Sequence, residues 1–283
     1  MSLRSVLLKI GRAVNDASFV LLEPCSAAEK LKTLSQLARI AFVPMPSQGK
    51  VALGSKNFRA RYLNQSSFRQ AYHEVFLRQM YFFRSNGDAP LIIDCGANIG
   101  LATLYFKTLY PRSAIEAFEP DPLTFSVLKD NVERNRLRQV SLHQCALWDS
   151  EGELDFYTDE SNPGQLAMSA QKGRLGAHED KITVPARRLS QFLEGRMVDF
   201  LKIDVEGAEE RLLSDLIKEN SLEKVRRMAI EYHHPLEGQP SRLACVLRML
   251  ETKGFDYELY ADLRPRVLRD RLHDVLICAY KQS

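Results

Sequence analysis

The chain has 283 residues, of which 45% are hydrophobic and 27% are charged, and its formal net charge is +3. This length is enough for one large α/β domain with an appendage, and this composition is that of an ordinary globular protein. The charge is too small to indicate nucleic-acid binding, and no apolar segment has the length needed for membrane insertion. These properties leave open whether the chain forms a homo-oligomer.

The five cysteines are widely spaced and odd in number: Cys25, Cys95, Cys145, Cys245 and Cys278. No pair has the short spacing of a zinc or redox motif. Three of them lie inside apolar strand-like runs, which is typical of small core residues in a reducing compartment. Lys9 and Arg12 interrupt the apolar N-terminus, so no secretory signal is predicted and a cytoplasmic location is expected.

Residues 1–65 are predicted to form a mainly helical N-terminal extension, and residues 66–283 the main domain. Apolar residues recur at helical spacing over residues 5–42, and turn-forming residues follow at 44–50. A small hairpin is predicted from segments 51–53 and 58–62. The aromatic-rich stretch 70–83 is predicted to be a helix that leads towards the first strand of the main domain.

From residue 90 onward, strand-like and helix-like segments alternate, which predicts a parallel sheet with helices on both faces. The predicted strands are 91–95, 114–118, 140–146, 200–204 and 228–232, and the predicted helices are 100–109, 122–135, 208–217 and 241–253. The last two strands, 256–260 and 273–280, have no crossover helix between them and should pair antiparallel. The predicted fold is an α/β fold with a mostly parallel seven-stranded sheet and an antiparallel C-terminal strand.

A ribbon inserted at the edge of the sheet is predicted from segments 153–157 and 182–184. The long connection between them, which includes residues 161–180, is rich in glycine and serine. Loops of this length are often mobile lids or disordered segments. We expect this loop to be one or the other.

The first predicted strand ends in Asp94 and continues through Gly96, Asn98 and Gly100 into a helix, and the second strand ends in Glu119. Strand, glycine turn, helix, strand and acid form the pattern of a nucleoside-binding βαβ unit. The glycines permit a ligand to approach the backbone closely. Glu119 is placed to accept hydrogen bonds from two ribose hydroxyls.

Asn98 distinguishes between two kinds of ligand. Dinucleotide folds place a glycine at this position because a pyrophosphate lies against it. A bulky side chain disfavours such a cofactor but accommodates S-adenosyl-L-methionine, which has no phosphate and whose ammonium group Asp94 would hold, directly or through water. A nucleotide-dependent oxidoreductase and a purely structural turn are the alternatives. Cys145 and Ala146, at the end of the third strand, are predicted to lie beside the adenine.

Four segments of the chain resemble the FkbM-like family of class I S-adenosyl-L-methionine-dependent methyltransferases. They are IIDCGANIGLATLYF, AFEPDP, CALWDSEGELDFY and DFLKIDVEGAEERLL, and the resemblance extends over about residues 70–280. It implies a Rossmann-like class I fold, S-adenosyl-L-methionine as methyl donor, and a sugar or secondary-metabolite hydroxyl as acceptor. The acceptor would then be a small molecule or a saccharide. A non-catalytic binding module of the same fold is the alternative.

Segment 199–209 contains the first candidates for catalysis. Lys202 and Asp204 share one face of the fourth strand by alternation, and a buried lysine needs a partner for its charge. The two residues either form an ion pair that holds the strand end, or place Asp204 beside the reactive methyl group as base, metal ligand or substrate anchor. Glu206 would join Asp204, or favour the dipole at the N-terminus of the next helix.

His233 is the second candidate for a general base, since it follows the fifth strand and an imidazole accepts protons near neutral pH. Glu231 is a further candidate. Asp204 and Glu206, together with Glu231 or His233, would also suit a divalent ion. No spacing compels such a site, so no metal is assigned from the sequence.

Overall fold

The computed structural model describes residues 17–18, 20–21, 26–42, 46, 49–53, 58–175, 179–234, 240–261 and 274–281. The expectations for residues 1–16, Cys25 and His273 fall outside these ranges. Within the ranges, no helix is both long and apolar enough to cross a membrane.

Strands and helices alternate through most of the described chain. The strands are β1 (Gly49–Leu53), β2 (Phe58–Tyr62), β3 (Leu91–Cys95), β4 (Ala114–Phe118), β5 (Val140–His143), β6 (Ala146–Trp148), β7 (Gly152–Thr158), β8 (Asp180–Arg188), β9 (Phe200–Ile203), β10 (Arg227–Tyr232), β11 (Asp256–Tyr260) and β12 (Val275–Tyr280). The α-helices are α1 (Ala27–Phe42), α2 (Gln65–Tyr72), α3 (Leu101–Leu109), α4 (Pro122–Arg134), α5 (Leu189–Phe192), α6 (Glu209–Lys218) and α7 (Leu243–Thr252).

Seven of these strands form the central sheet, in the order β11-β12-β10-β9-β3-β4-β5. Neighbouring strands from β10 to β5 are parallel, and β12 lies antiparallel between β10 and β11. The predicted seven-stranded sheet with its antiparallel C-terminal strand is confirmed. The chain runs outward from β3 to β5 and then returns to β9 on the other side of β3. This reversal leaves a crevice for a ligand above the carboxyl ends of these strands.

Helices cover both faces of the sheet, because successive residues of each strand point to opposite sides. On one face, Ile93 and Leu201 belong to a buried cluster with residues of α6 and α7. On the other face, Ile92 and Phe200 pack with residues of α3 and α4. The central strands are therefore apolar on both sides, and the buried Lys202 in β9 is an exception that its partners must explain.

Strand β5 is shorter than predicted. It ends at His143, and Ala146 begins β6 in a second sheet of order β6-β8-β7. The predicted ribbon is present as the antiparallel pair of β7 and β8, but it belongs to this second sheet. The prediction of one strand over 140–146 is wrong, because an apolar run carries no sign of where the chain leaves one sheet for another.

The helix predicted over 70–83 begins and ends earlier in the structure. Helix α2 follows Asn64, whose side chain accepts a backbone N–H bond at 3.0 Å and caps the helix. After a short π turn the chain leaves the helix, and Gln79 has a φ of +51°. The aromatic spacing beyond this point reflects packing, since the ring of Phe83 stacks on Phe200 with centroids 4.3 Å apart.

The N-terminal region packs against the main domain. Helix α1 contributes Leu37 to a buried cluster that also contains Leu104 of α3 and Val127 of α4, and the predicted hairpin is present as β1 and β2. The amide of Asn131 in α4 accepts from the N–H of Arg61 at 2.6 Å and donates to its carbonyl at 3.0 Å. These two hydrogen bonds attach the backbone of β2 to α4. The division of the chain at residue 65 stays a prediction.

Candidate functional site

A cavity of about 830 Å³ lies at the carboxyl ends of the parallel strands. Most of the site residues predicted from the sequence line it: Gly96, Asn98, Glu119, Cys145, Ala146, Lys202, Asp204, Glu206 and His233. The remaining two, Asp94 and Gly100, are absent from its wall. The structure thus brings residues from five separate segments of the chain to one cavity.

Gly96 allows the ends of β3 and β9 to approach each other. Its φ is +78°, and a Cβ built on it would lie 1.8 Å from the backbone oxygen of Asp204. No side chain fits in that space. The N–H groups of Gly96 and Ala97 donate to the carbonyl of Phe118 at 3.1 and 2.8 Å. The turn is therefore fixed to β4 as well as to β9.

Gly100 begins α3 at a φ of +86°, and a Cβ on it would lie 2.7 Å from Cδ1 of Leu128. Its lack of a side chain lets α3 approach α4. Gly100 therefore permits the packing of α3 against α4, and it is not part of the cavity wall.

Glu119 is a buried carboxylate at the end of β4. Its Oε2 accepts from the N–H of Asn98 at 2.9 Å, and its Oε1 accepts from the N–H of Asp121 at 2.9 Å. Burial raises the pKa of Glu119 to about 8, although these two hydrogen bonds oppose the shift. Each oxygen has further lone pairs and can still accept a hydrogen bond from a ligand in the cavity.

Apolar residues form another part of the wall. Phe118 lies beside Cys145 and Ala146 in the lining, and Phe156 and Met168 from the second sheet and its loop extend this surface. Burial raises the pKa of the Cys145 thiol to about 11. The thiol therefore stays protonated at neutral pH and contributes apolar surface, which suits the face of an aromatic base.

Lys202 pairs with two acids at the ends of β3 and β9. Its Nζ lies 3.1 Å from Oδ2 of Asp204 and 3.4 Å from Oδ1 of Asp94, and it donates to the carbonyl of Gly96 at 2.9 Å. Burial works to lower the pKa of Lys202, but the carboxylates of Asp204 and Asp94 outweigh it and hold this pKa above its usual value. These contacts favour the charged form of the lysine beside Asp204.

Asp94 lies behind Lys202. It is fully buried, and its Oδ2 accepts from the hydroxyl of Thr103 at 2.8 Å. Asp94 and Lys202 meet because they are register partners on neighbouring parallel strands. Asp94 is not part of the cavity wall and contacts Lys202, and its expected bond to an ammonium group, directly or through water, stays a prediction.

His233 follows β10 and faces three carboxylates. Its Nδ1 lies 2.8 Å from Oε1 of Glu209, whereas its Nε2 faces Oδ1 of Asp204 at 3.8 Å and Oε1 of Glu206 at 3.4 Å. Burial works to lower the pKa of His233, but the carboxylates of Glu206, Glu209 and Asp204 outweigh it and raise this pKa well above its usual value. Among Asp204, Glu206 and His233, the side chain of Asp204 is the most exposed, at 25% against 15% for Glu206 and 5% for His233.

Glu206 occupies a turn with a φ of +53°, in the left-handed region that glutamate rarely adopts. This backbone conformation accompanies a side chain that is turned towards His233. Burial and the charge of Asp204 raise the pKa of Glu206 to about 7, while His233 and Arg174 oppose the shift.

Glu231 and Glu74 are further acids of the cavity wall, which also includes Asp274. Glu231 in β10 accepts a hydrogen bond from the hydroxyl of Tyr81, whose ring lies 5.2 Å from Nζ of Lys202. Burial and the charge of Asp204 raise the pKa of Glu231 to about 8. Glu74 accepts from Gln70 at 3.2 Å, and burial raises its pKa to about 7.

The loop between β7 and β8 is held against the Glu206 turn, in the part that the structure describes up to residue 175. Ser169 donates to the carbonyl of Glu206 at 2.6 Å, and Gln171 donates to the carbonyl of Gly207 at 2.8 Å. Arg174 donates to Oε2 of Glu206 at 2.9 Å. These bonds place this part of the loop beside the acidic residues, and its mobility stays a prediction.

Three polar residues of the site escaped the sequence analysis. Glu209 stands in the first turn of α6, where the helix dipole also explains an acidic residue, so its signal in the sequence was weak. Glu74 is an isolated acid in an aromatic stretch, which is a weak signal. Arg174 belongs to a loop without periodicity, and nothing in its neighbours indicates a partner 32 residues away.

The sequence is similar to those of known methyltransferases. Residues 94–257 match the family described as the methyltransferase FkbM domain. Methyltransferase 1 of Beauveria bassiana (strain ARSEF 2860) is 32% identical over 200 residues, which are 64% of this chain and 78% of that protein. The 31-O-demethyl-FK506 methyltransferase FkbM of Streptomyces tacrolimicus is 26% identical over 244 residues, which are 76% of this chain and 91% of that protein.

A solved structure, that of Methyltransferase FkbM from Methylobacillus flagellatus KT, has a TM-score of 0.48 and 15% identity. It covers 97% of this chain, which spans 60% of the length of that structure. The family domain covers more than half of the chain and contains the glycine turn, Glu119 and the segment of Lys202 to Glu209. The resemblance read from the four motifs is confirmed: the chain belongs to the FkbM family of methyltransferases.

Proposed function

We propose that this protein transfers a methyl group from S-adenosyl-L-methionine to a hydroxyl group. The acceptor is a sugar or a secondary metabolite, that is, a saccharide or another small molecule. The observation that carries the proposal is the single cavity that joins the buried Glu119 carboxylate to the cluster of Asp204, Glu206 and His233. One part suits a nucleoside donor, and the other offers groups that act on an acceptor.

The residues present fit this donor. Gly96 leaves a cradle that a Cβ would fill, and Glu119 has lone pairs left to accept from ribose hydroxyls. Phe118, Cys145 and Ala146 offer apolar contact for the adenine. When bound, the donor supplies an electrophilic methyl group on a sulfonium.

The acceptor hydroxyl must lose its proton, because its pKa lies far above neutral. We assign the contact with this hydroxyl to Asp204, whose side chain is the most exposed of the three clustered groups. Lys202 and its partner Asp94 hold one oxygen of Asp204 in place and leave the other towards the cavity. His233 and Glu206 complete the polar wall around that oxygen, and Glu231 lies within the same cavity.

Oxygen as the methylated atom is supported by the related protein of S. tacrolimicus, whose name specifies a 31-O-demethyl acceptor. The walls support an acceptor that presents apolar surface beside its hydroxyl, since Met80, Leu259 and Val275 line the cavity together with the acids. Two predictions from the sequence stay predictions: that nucleic acid is not a partner, and that the location is cytoplasmic.

Isothermal titration of the intact chain with S-adenosyl-L-methionine tests the proposal. We expect micromolar binding, weaker or no binding of a nicotinamide dinucleotide, and methyl transfer to hydroxylated small molecules. Heat with the dinucleotide alone would favour the oxidoreductase. An absence of heat with both ligands would favour a non-catalytic module.

A further inference from the structure

Three donor atoms converge at the acceptor side of the cavity. One carboxylate oxygen of Asp204, one of Glu206 and a ring nitrogen of His233 all lie within 4.8 Å of one another. The nitrogen to oxygen distances of 3.4 and 3.8 Å are long for hydrogen bonds. Neighbouring ligands of a divalent ion with bonds of about 2.1–2.5 Å are about 3.0–3.5 Å apart at right angles. The separation of 3.4 Å lies in that range, and the separation of 3.8 Å lies slightly above it.

The other polar atom of each side chain is already occupied. Lys202 lies 3.1 Å from Oδ2 of Asp204, and Arg174 donates to Oε2 of Glu206 at 2.9 Å. Nδ1 of His233 lies 2.8 Å from a carboxylate oxygen of Glu209. A carboxylate on the distal nitrogen of a histidine is the arrangement that orients imidazole ligands in metal sites. These partners leave Oδ1, Oε1 and Nε2 facing one another.

With His233 neutral and its acidic neighbours ionised, the state in which a cation would bind, charge around the three atoms is unbalanced towards negative. Glu209 and Glu231 add to the carboxylates of Asp204 and Glu206, and Asp94 lies on the far side of Lys202. Lys202 and Arg174 supply the permanent positive charges among the described partners. A divalent cation would offset the excess.

We propose that Asp204, Glu206 and His233 bind one divalent cation of the Mg²⁺ or Mn²⁺ class. A ligand set of two carboxylates and one imidazole suits such ions, whereas thiolate-rich ligand sets select zinc. The sequence alone compelled no metal, and it is the convergence of the three atoms that changes this expectation. The left-handed backbone of Glu206 supports the proposal, because strained conformations cluster at functional sites.

The role of the ion, unlike its binding, rests on the function proposed above. The acceptor hydroxyl would coordinate the ion, which lowers its pKa, and its proton would pass to solvent. The oxygen then forms a bond to the methyl carbon, the carbon–sulfur bond breaks, and its electron pair stays on sulfur as a neutral thioether.

Binding of Mn²⁺ to the metal-stripped full chain, followed by the spin-resonance signal of the free ion, tests this site. We expect one ion per chain with micromolar affinity. Glu206→Gln, which keeps the shape of the side chain, should abolish the site, and Glu209→Gln should weaken it about 10- to 100-fold. The matched control is Glu116→Gln, which alters a remote Glu116–His143 contact of 2.8 Å and should bind Mn²⁺ as the wild type does.

Either no binding at millimolar Mn²⁺ or equal affinity in wild type and Glu206→Gln would overturn the proposal and favour a protonated His233 between the carboxylates. The donor is titrated into the same samples. Mn²⁺ binding without donor binding would count against the proposed function alone, and donor binding without Mn²⁺ binding would count against the metal site alone. Thermal unfolding of each variant verifies that it is folded.

Discussion

At the scale of single residues, Glu119 carries the proposed donor site. Glu119→Ala removes the acceptor of the ribose hydroxyls, so the affinity for S-adenosyl-L-methionine should fall by about 1–3 kcal/mol, or roughly 5- to 150-fold. Isothermal titration measures this change. Glu116→Ala is the control on the same strand, because its partners His143 and Arg196 lie outside the cavity wall. An equal loss in both variants would contradict the assignment to Glu119.

The raised pKa of Glu119 predicts how donor binding depends on pH. Hydroxyl donors favour the ionised carboxylate, so binding lowers a pKa that is about 8 in the free protein. Affinity should therefore rise with pH up to about 8 and level off above it. Titrations at a series of pH values measure this trend, and Glu119→Gln should remove it. The same slope in that variant would assign the trend to another group.

Asp204→Asn tests the contact with the acceptor. The amide keeps the shape of the side chain but loses the negative charge with which Asp204 would accept the proton or bind the proposed cation, so turnover should fall by about 10²–10⁴-fold. Donor affinity should change far less. Methyl transfer and calorimetry on the same preparation measure the two quantities. Wild-type turnover in this variant would remove Asp204 from the chemistry.

The polar residues of the site were only partly predictable from the sequence. Alternation along one strand is local, so the pair of Lys202 and Asp204 was expected and is present at 3.1 Å. The second partner of Lys202 was not expected. Asp94 meets it across a strand pair whose neighbours and register are decided by the whole sheet. The same reason explains why the contact between Arg174 and Glu206 could not be predicted.

At the scale of elements, the turn after β3 depends on Gly96. Gly96→Ala should destabilise the protein by more than about 4 kcal/mol, since a Cβ would lie 1.8 Å from a backbone oxygen at a φ of +78°. Denaturant unfolding measures this loss. Donor affinity should fall as well, because the added Cβ displaces the turn that we propose cradles the donor.

Gly254 provides the matched control for this substitution. Its φ is +74°, and nothing lies within 4 Å of a Cβ built on it. Gly254→Ala therefore isolates the cost of the left-handed backbone, about 1–2 kcal/mol. If both variants lose the same stability, the close approach at Gly96 has no energetic importance.

The hydrophobic periodicity predicted correctly whether a segment is a helix or a strand where the segment lies within one sheet or one helix along its whole length. Strands β3 and β4 are buried on both sides within a single sheet, and their predicted bounds agree with the structure. The predicted strand over 140–146 crosses from the central sheet into the second one, and the predicted helix over 70–83 contains a backbone reversal at Gln79. Hydrophobic pattern alone shows neither event, because most apolar side chains on both sides of each event are at least partly buried.

At the scale of the whole molecule, the order of elements was enough to predict the central sheet. Alternating strands and helices leave few right-handed arrangements, and two final strands without a helix require an antiparallel pair. The packing of the N-terminal hairpin could not be predicted in this way. It depends on a side chain, Asn131, that bonds to the backbone of a strand 70 residues earlier.

A crystal structure of the protein with S-adenosylhomocysteine is the best test of whether Glu119 binds the ribose of the donor. We predict that the ligand lies in the cavity above β3 and β4, with both ribose hydroxyls at hydrogen-bond distance from the carboxylate of Glu119. A ligand bound elsewhere, or a Glu119 carboxylate turned away from the ribose, would contradict it.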